Sequence, residues 1–263
     1  MQPIPIYKID AFTHKVFSGN PAAVCPLPEW LESHTMQSIA AENNLSETAF
    51  FVKEQDGFGL KWFTPEAEID LCGHATLATA FVLFNHLNYT ENTITFFTKS
   101  GKLTVRKNDD VLTLNFPAIS LEKISRTQDV ADAIGMKPIE VLGGKDILMA
   151  IFNEEVKIAN LQPDFEKIKK LNCRILYATA PGDKVDFVSR VFAPAVGINE
   201  DPVTGSAHCC FTPYWSHKLG KKKLTAVQLS KRRGELECED LGERVAMSGT
   251  AVLFSKGEIF LNS

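Results

Sequence analysis

The stretch Asp70-Leu71-Cys72-Gly73-His74 runs into residues 75–87, which place apolar side chains on every face of a helix. A second stretch, Glu200-Asp201-Pro202-Val203-Thr204-Gly205-Ser206, runs in the same way into a largely apolar helix over 207–219. Gly220 suits the C′ position that ends this second helix. A helix that is apolar all round must be buried on all sides. A sheet wrapped around each helix is the simplest way to bury it, so we predict two such units.

Strand and helix patterns follow a similar order in the two halves of the chain. The first half predicts helices over 29–44 and 75–87, and strands over 6–12, 22–27, 48–52, 60–63, 93–97, 102–106 and 111–116. The second half predicts helices over 128–134, 164–171 and 207–219, and strands over 139–142, 147–152, 174–178, 186–192, 225–230, 234–238 and 245–254. We therefore expect two pseudo-equivalent lobes, 1–116 and 117–263, joined by a linker over 117–124. The closing strand is free to return to the first lobe, and we expect the two glycine turns to meet in a shared cleft.

Composition excludes several classes of function. The chain has 263 residues, 44% hydrophobic and 23% charged, which is ordinary globular usage. Its net charge of −4 provides no positive field for a nucleic-acid backbone. The best membrane-spanning candidate, 75–84, has about half the required length. The six cysteines form no C-x-x-C pair and no Cys/His cluster with zinc spacing. We expect a cytosolic protein with no metal, no nucleic-acid partner and no membrane partner.

The two glycine turns are the first candidates for chemistry. Each places backbone N–H groups at the start of a helix, and such groups attract anions, although both turns could serve packing alone. His74 lies beside Gly73, and Asp201 and Ser206 flank Gly205, where each is equally suited to cap the helix. Glu47 lies where a helix is followed by an apolar strand, so it is either a solvated strand-end residue or a proton-transfer group.

Cys72 raises a separate question. Cofactor-independent amino-acid racemases use a pair of cysteines, one from each lobe, as acid and base. Here Asp201 stands in the corresponding region of the second half, and Cys209 and Cys210 lie inside the following helix. A pair of thiols is therefore disfavoured, and Cys72 is more simply a small buried residue. A mixed pair of Cys72 with Asp201 or Glu47 remains an alternative.

Several motifs together resemble the PhzF family of phenazine-biosynthesis isomerase-like proteins. They occur in family order over most of the chain: Asp10-Ala11-Phe12-Thr13, Gly19-Asn20-Pro21-Ala22-Ala23-Val24, Asn44-Leu45-Ser46-Glu47-Thr48-Ala49-Phe50, Trp62-Phe63-Thr64-Pro65, Leu71-Cys72-Gly73-His74-Ala75-Thr76-Leu77-Ala78 and Glu200-Asp201-Pro202-Val203-Thr204-Gly205-Ser206-Ala207-His208. The resemblance implies an α+β, diaminopimelate-epimerase-like fold with two lobes, each a curved sheet around a central helix.

The resemblance also implies a reaction and a set of site residues. The best-understood family member isomerises a dihydrohydroxyanthranilate without cofactor, metal or thiol, using a glutamate that removes a proton from one carbon and returns it to another. Its catalytic positions correspond to Glu47, His74 and Asp201. We assign substrate binding to Asn20, Ser46, Gly73, Gly205 and Ser206.

We therefore predict a cofactor-independent isomerase, acting on a small carboxylate and assembled as a homodimer. The resemblance does not fix the substrate. The alternatives are an amino-acid epimerase or racemase that uses Cys72 with a carboxylate partner, and a catalytically idle binding or scaffold protein.

Overall fold

The computed structural model describes residues 3–261. It divides into two compact units, one formed by Met1–Asn115 with Ser248–Ser263 and the other by Phe116–Met247. The C-terminal segment therefore lies with the first half of the chain, the return that the sequence analysis allowed for. Within residues 3–261, no helix has the length and apolar character needed to cross a membrane.

Strands and helices alternate along most of the chain. The strands are β1 (Ile4–Ala11), β2 (Asn20–Leu27), β3 (Glu47–Glu54), β4 (Gly57–Phe63), β5 (Glu68–Ile69), β6 (Thr93–Thr98), β7 (Gly101–Asn108), β8 (Val111–Pro117), β9 (Glu122–Lys123), β10 (Glu140–Gly143), β11 (Ile147–Ile151), β12 (Ile175–Pro181), β13 (Phe187–Phe192), β14 (Lys223–Gln228), β15 (Gly234–Asp240), β16 (Arg244–Gly249) and β17 (Ala251–Ile259). The helices are α1 (Ser33–Asn43), α2 (Gly73–His86), α3 (Thr127–Ile134), α4 (Glu155–Ala159), α5 (Phe165–Lys169) and α6 (His208–Leu219), with short 3₁₀ turns at Pro194–Val196 and Gly205–Ala207.

The first unit is a mixed sheet. β17 pairs antiparallel with β1, and β1 antiparallel with β2. β2 then pairs parallel with β3, β3 antiparallel with β4, β4 parallel with β6, and β6 antiparallel with β7. Parallel neighbours need a crossover connection, and α1 and α2 supply it between β2 and β3 and between β4 and β6.

The second unit repeats this pairing order. β9 pairs antiparallel with β10, and β10 antiparallel with β11. β11 then pairs parallel with β12, β12 antiparallel with β13, β13 parallel with β14, and β14 antiparallel with β15. The crossovers again contain helices: α4 and α5 precede β12, and α6 precedes β14. The two units are therefore equivalent in topology, with α2 and α6 in matching places.

Both central helices are buried, as their composition predicts. In α2, every residue from Gly73 to Ala80 is buried, and the helix packs against β1, β2 and β3. The hydroxyls of Thr76 and Thr79 donate to carbonyls one turn earlier, at 2.5 and 2.7 Å, so the helix itself satisfies these two buried hydroxyls. In α6, which packs against β14 and β15, the indole of Trp215 donates to Thr179 Oγ1 at 2.9 Å.

The predicted strands and helices are confirmed apart from several local differences. α1 begins at Ser33 and not at 29, because Trp30 and Leu31 pack onto the core ahead of the helix. The strand predicted over 245–254 is two strands, β16 and β17, with Thr250 between them accepting a hydrogen bond from the backbone of Thr13. The predicted linker contains β9, and the helix predicted over 164–171 is the shorter α5. The single-turn α4 and the two-residue β5 and β9 are too short to show a periodicity.

We expect Gly19 to be essential for the turn that leads into Asn20. Its φ of +67° lies in the left-handed region, and a Cβ would stand 2.2 Å from the carbonyl oxygen of Ala11. Gly220 has the same φ of +67° with open space around it, so Gly220→Ala is a matched control. The control should cost about 1–2 kcal/mol for the left-handed conformation alone, and Gly19→Ala should cost clearly more. Urea unfolding of both variants measures the difference, and equal losses would contradict the steric argument.

Candidate functional site

A buried carboxylate and a buried imidazole meet in the first unit. Glu47 is the first residue of β3 and His74 the second residue of α2, and they are 7% and 4% exposed. Glu47 Oε2 lies 3.0 Å from His74 Nε2, although the two groups are not aligned for a well-directed hydrogen bond. The pair therefore interacts mainly through charge.

Two further side chains contact the imidazole on its other nitrogen. Asn20, the first residue of β2, is fully buried and places its Nδ2 3.1 Å from His74 Nδ1. Cys72, which precedes α2, places its sulfur 3.5 Å from the same nitrogen. An amide nitrogen only donates, so with this amide orientation Nδ1 accepts and the ring proton faces Glu47. In the imidazolium both ring nitrogens donate, and a rotation of the Asn20 amide then presents its oxygen to Nδ1.

The fold explains why these residues meet. β2 and β3 are parallel, with Ala22 opposite Glu47, so both strands start at the same edge of the sheet. Asn20 and Glu47 begin these two strands, and α2 packs against both strands. The starts of β2, β3 and α2 thus place the buried polar side chains of Asn20, Glu47 and His74 next to one another.

The pKa values in this cluster follow from burial and from neighbouring charges. Burial by itself lowers the pKa of His74, but Cys72 and Glu47 beside the ring raise it, and the net pKa lies well above its usual 6.5. Burial, followed by the charge of Glu47, raises the pKa of the Cys72 thiol to about 11. At neutral pH Cys72 is therefore a thiol.

In the second unit, Asp201 belongs to a tightly bonded turn. Thr204 Oγ1 donates to Asp201 Oδ2 at 2.5 Å. Gln228, the buried last residue of β14, accepts from the backbone N–H of Thr204 at 2.8 Å and donates to the carbonyl of Asp201 at 2.6 Å. Next to Asp201, Glu200 receives two hydrogen bonds from the Arg190 guanidinium, at 2.7 and 2.8 Å. These contacts fix the backbone that leads to Gly205.

The structure brings together part of the predicted site. Asn20, Glu47 and His74 are in direct contact, with Gly73 and the partly buried Ser46 adjacent to them in the chain. Asp201, the buried Gly205 and the partly buried Ser206 lie in the second unit. Gly73 opens α2 directly, whereas Gly205 opens a 3₁₀ turn ahead of α6. The catalytic roles and the shared cleft stay predictions.

Cys72 is buried, as the sequence predicts, and its thiol also contacts His74, a contact that the spacing of the two residues at a helix start could have indicated. Gln228 was not predicted from the sequence. It reaches the Asp201 turn through the pairing of β14 with β13, and no local pattern marks such a contact.

One group in the described part of the chain has donor atoms close enough to hold a metal ion. Glu47, Cys72 and His74 each offer one such atom, all within 4.8 Å of one another. The absence of a compact Cys/His motif predicts no metal site. This group is assembled from separate elements, so spacing along the chain does not reveal it.

We expect the stability contributed by His74 to depend on pH. Its folded pKa is raised above the unfolded value near 6.5, so this contribution is complete below pH 6.5 and is lost as the pH rises through the folded pKa. The loss is at most about 1.4 kcal/mol per pH unit for one proton. His74→Gln should therefore be most destabilising below pH 6.5 and progressively less so above it. Urea unfolding of both proteins across this range measures the effect, and a pH-independent difference would contradict it.

Comparisons with known proteins give consistent results. A family model described as phenazine biosynthesis-like protein (PhzC-PhzF) matches residues 9–257. An uncharacterized isomerase of Pseudomonas aeruginosa is 48% identical over 258 residues, which are 98% of this chain and 99% of that protein. The crystal structure of a PhzF-family phenazine biosynthesis protein from Enterococcus faecalis aligns with a TM-score of 0.96 and 50% identity, covering 99% of this chain and 100% of that one.

A more distant structure agrees in fold alone. A protein described as a probable proline racemase from Agrobacterium radiobacter is 11% identical and aligns with a TM-score of 0.64, covering 98% of this chain and 93% of that one. The predicted α+β, diaminopimelate-epimerase-like fold is confirmed.

Proposed function

The chain belongs to the phenazine biosynthesis-like PhzC-PhzF family, and on this basis we propose that it is an isomerase that moves a proton within a small carboxylate substrate. Glu47 is the acid and base of this reaction. The observation that carries the proposal is the 3.0 Å approach of Glu47 to His74 in a nearly water-free environment. The contact with His74 holds the Glu47 carboxylate in place. Within residues 3–261, no well-directed hydrogen bond to Oε2 offsets its negative charge.

Glu47 is better suited than Cys72 to take the proton. With a pKa of about 11, Cys72 is already protonated at neutral pH and is not available to accept a proton. Glu47 carries a charge that His74 stabilises as long as the ring is protonated. A single carboxylate that receives a proton can also return it, so one residue serves both half-reactions.

The proposed step is balanced without a second reactant. A C–H bond of the substrate breaks, its proton passes to a Glu47 oxygen, and the electron pair remains on the substrate as a delocalised carbanion. A bond then forms between this proton and a different carbon, which restores the Glu47 carboxylate and yields an isomer. The His74 cation remains beside the site when the negative charge moves to the substrate, and so lowers the cost of the carbanion.

The start of α2 provides a place for the substrate carboxylate. α2 has 14 residues, and its N-cap residue Cys72 makes no side-chain capping hydrogen bond. The first backbone N–H groups of such a helix and its dipole favour an anion. We assign Gly73 and Ser46 to substrate binding because they adjoin His74 and Glu47, and Asn20 to holding the imidazole at Nδ1.

The second unit contributes Asp201, Gly205 and Ser206 to the proposal. We assign these three residues to the site because the two units repeat one topology: the Gly205 turn precedes α6 as Gly73 begins α2. The bonds from Thr204 and Gln228 give the Asp201 turn a fixed conformation, as a binding segment requires. Cofactor independence, a cytosolic location and a homodimeric state remain predictions of the sequence analysis.

The test is hydrogen exchange into substrate carbon. A panel of small carboxylates is incubated with the protein in D₂O, and deuterium incorporation is followed by NMR. Glu47→Gln keeps the shape of the side chain and removes the base, so exchange should fall by about 10²–10⁴-fold. The matched control is Glu54→Gln, which changes the exposed glutamate at the other end of β3 and should exchange like the wild type.

Exchange at the wild-type rate in Glu47→Gln would refute the mechanism. Absence of exchange from the wild type over the whole panel, together with a thermal shift on ligand binding, would favour the catalytically idle binding protein.

The contact of Cys72 with His74 supports one further candidate enzyme. A mixed pair of Cys72 and Glu47, with donor atoms within 4.8 Å, could act on the two faces of a stereocentre as an amino-acid epimerase does. Treating the protein with iodoacetamide, which alkylates thiols, before the exchange assay distinguishes this epimerase from the carboxylate mechanism. Rapid inactivation that substrate prevents would favour the epimerase, whereas unchanged exchange would favour the carboxylate mechanism.

A further inference from the structure

The Glu47, Cys72 and His74 cluster combines three different donor types in one buried place. A carboxylate, a thiol and an imidazole are the side chains that zinc prefers in proteins. The three residues are at most 7% exposed. Elsewhere in residues 3–261, no other three His, Cys, Asp or Glu side chains bring their donor atoms so close together.

We propose that Glu47, Cys72 and His74 bind a zinc-class divalent cation, such as Zn²⁺ or Co²⁺, and that the bound ion blocks proton transfer by Glu47. The binding does not depend on the proposed isomerase activity. The block does, since it rests on the assignment of Glu47 as the base.

The distances suit this ion provided that the Cys72 sulfur moves towards the Glu47 side of the ring. Zinc lies about 2.0–2.2 Å from nitrogen and oxygen ligands and about 2.3 Å from sulfur, so tetrahedral ligand atoms are roughly 3.3–3.6 Å apart. Glu47 Oε2 and His74 Nε2 are already 3.0 Å apart, and no pair in the cluster exceeds 4.8 Å. The sulfur lies 3.5 Å from Nδ1, so an ion bound at Nε2 requires the Cys72 sulfur to move towards that nitrogen.

The bonding of the ligand atoms is a second, independent indication. Glu47 Oε2 and His74 Nε2 are both buried, and neither makes a well-directed hydrogen bond within the described structure. Their 3.0 Å approach is a pairing of charges, and a cation placed between them would replace it with two metal–ligand bonds. They face each other, so Nε2 can offer its lone pair to an ion between them once its proton has left.

The charges balance when the ion binds. Cys72 gives up its thiol proton to the solvent and forms a metal–sulfur bond, and any proton held between His74 and Glu47 leaves in the same way. The thiolate and the carboxylate then neutralise the two positive charges. Three protein ligands leave a fourth position for water or a small anion. Coordination withdraws negative charge from the Glu47 carboxylate and so weakens it as a base, and the ion adds a positive charge beside it.

The test uses Co²⁺ as a spectroscopic probe of the full-length protein after treatment with a chelator. One equivalent of Co²⁺ should produce a thiolate-to-metal charge-transfer band in the near ultraviolet, and Zn²⁺ should remove the band by displacement. Cys72→Ser should abolish the band and weaken Zn²⁺ binding, measured against a chromophoric chelator, by at least about tenfold. Cys173→Ser is the matched control, because it removes a buried thiol from the second unit, and it should bind like the wild type.

Absence of the band from the wild type, or an equal band in Cys72→Ser, would overturn the site. Cys72→Ala repeats the comparison if the serine variant fails to fold. The exchange assay with and without Zn²⁺ then tests the block: we expect exchange to stop as the site fills. Unchanged exchange with the ion bound would overturn the block while leaving the metal site established, and a failed metal site would leave the proposed isomerase untouched.

Discussion

A carboxylate inside a protein needs an opposite charge or hydrogen-bond donors facing it, because burial in an apolar environment otherwise costs several kcal/mol. Glu47 meets this requirement through His74, 3.0 Å away. Cys72 and Glu47 together raise the pKa of His74 against the effect of burial, and the pairing keeps the Glu47 carboxylate where little water reaches it. It also explains why Cys72, whose pKa Glu47 helps to raise, remains a thiol next to them. The chemistry proposed for this protein depends on that one contact.

The fold makes the contact by bringing the starts of three elements together. β2 and β3 run parallel and begin with Asn20 and Glu47, and α2 begins with Gly73 and His74. Most side chains of α2 are buried against the sheet, so they are apolar or, like Thr76 and Thr79, hydrogen-bonded to the helix itself. The reactive imidazole of His74 lies in the first turn. The second unit repeats the architecture with α6, where the corresponding turn is held by Gln228.

Much of the fold could be predicted from the sequence because two helices apolar on every face admit few ways of being buried. The break between β16 and β17 could not, since it involves Thr250 accepting from Thr13, a contact between distant parts of the chain. The site shows the same limit. The sequence motifs identified Glu47 and His74. Three contacts depend on how strands and helices pack: Glu47 with His74, Cys72 with His74, and Gln228 with the carbonyl of Asp201.

The central claim is that Glu47 holds His74 as a cation, and NMR of the protein labelled with ¹⁵N at its histidine rings tests this most directly. His74→Gln identifies the His74 signals by their disappearance. In the wild type, the ring nitrogens should keep the shifts of a doubly protonated imidazole well above pH 6.5, and in Glu47→Gln the pKa of His74 should fall. Identical titration curves in the two proteins, or a neutral His74 ring in the wild type at pH 6.5, would contradict the claim.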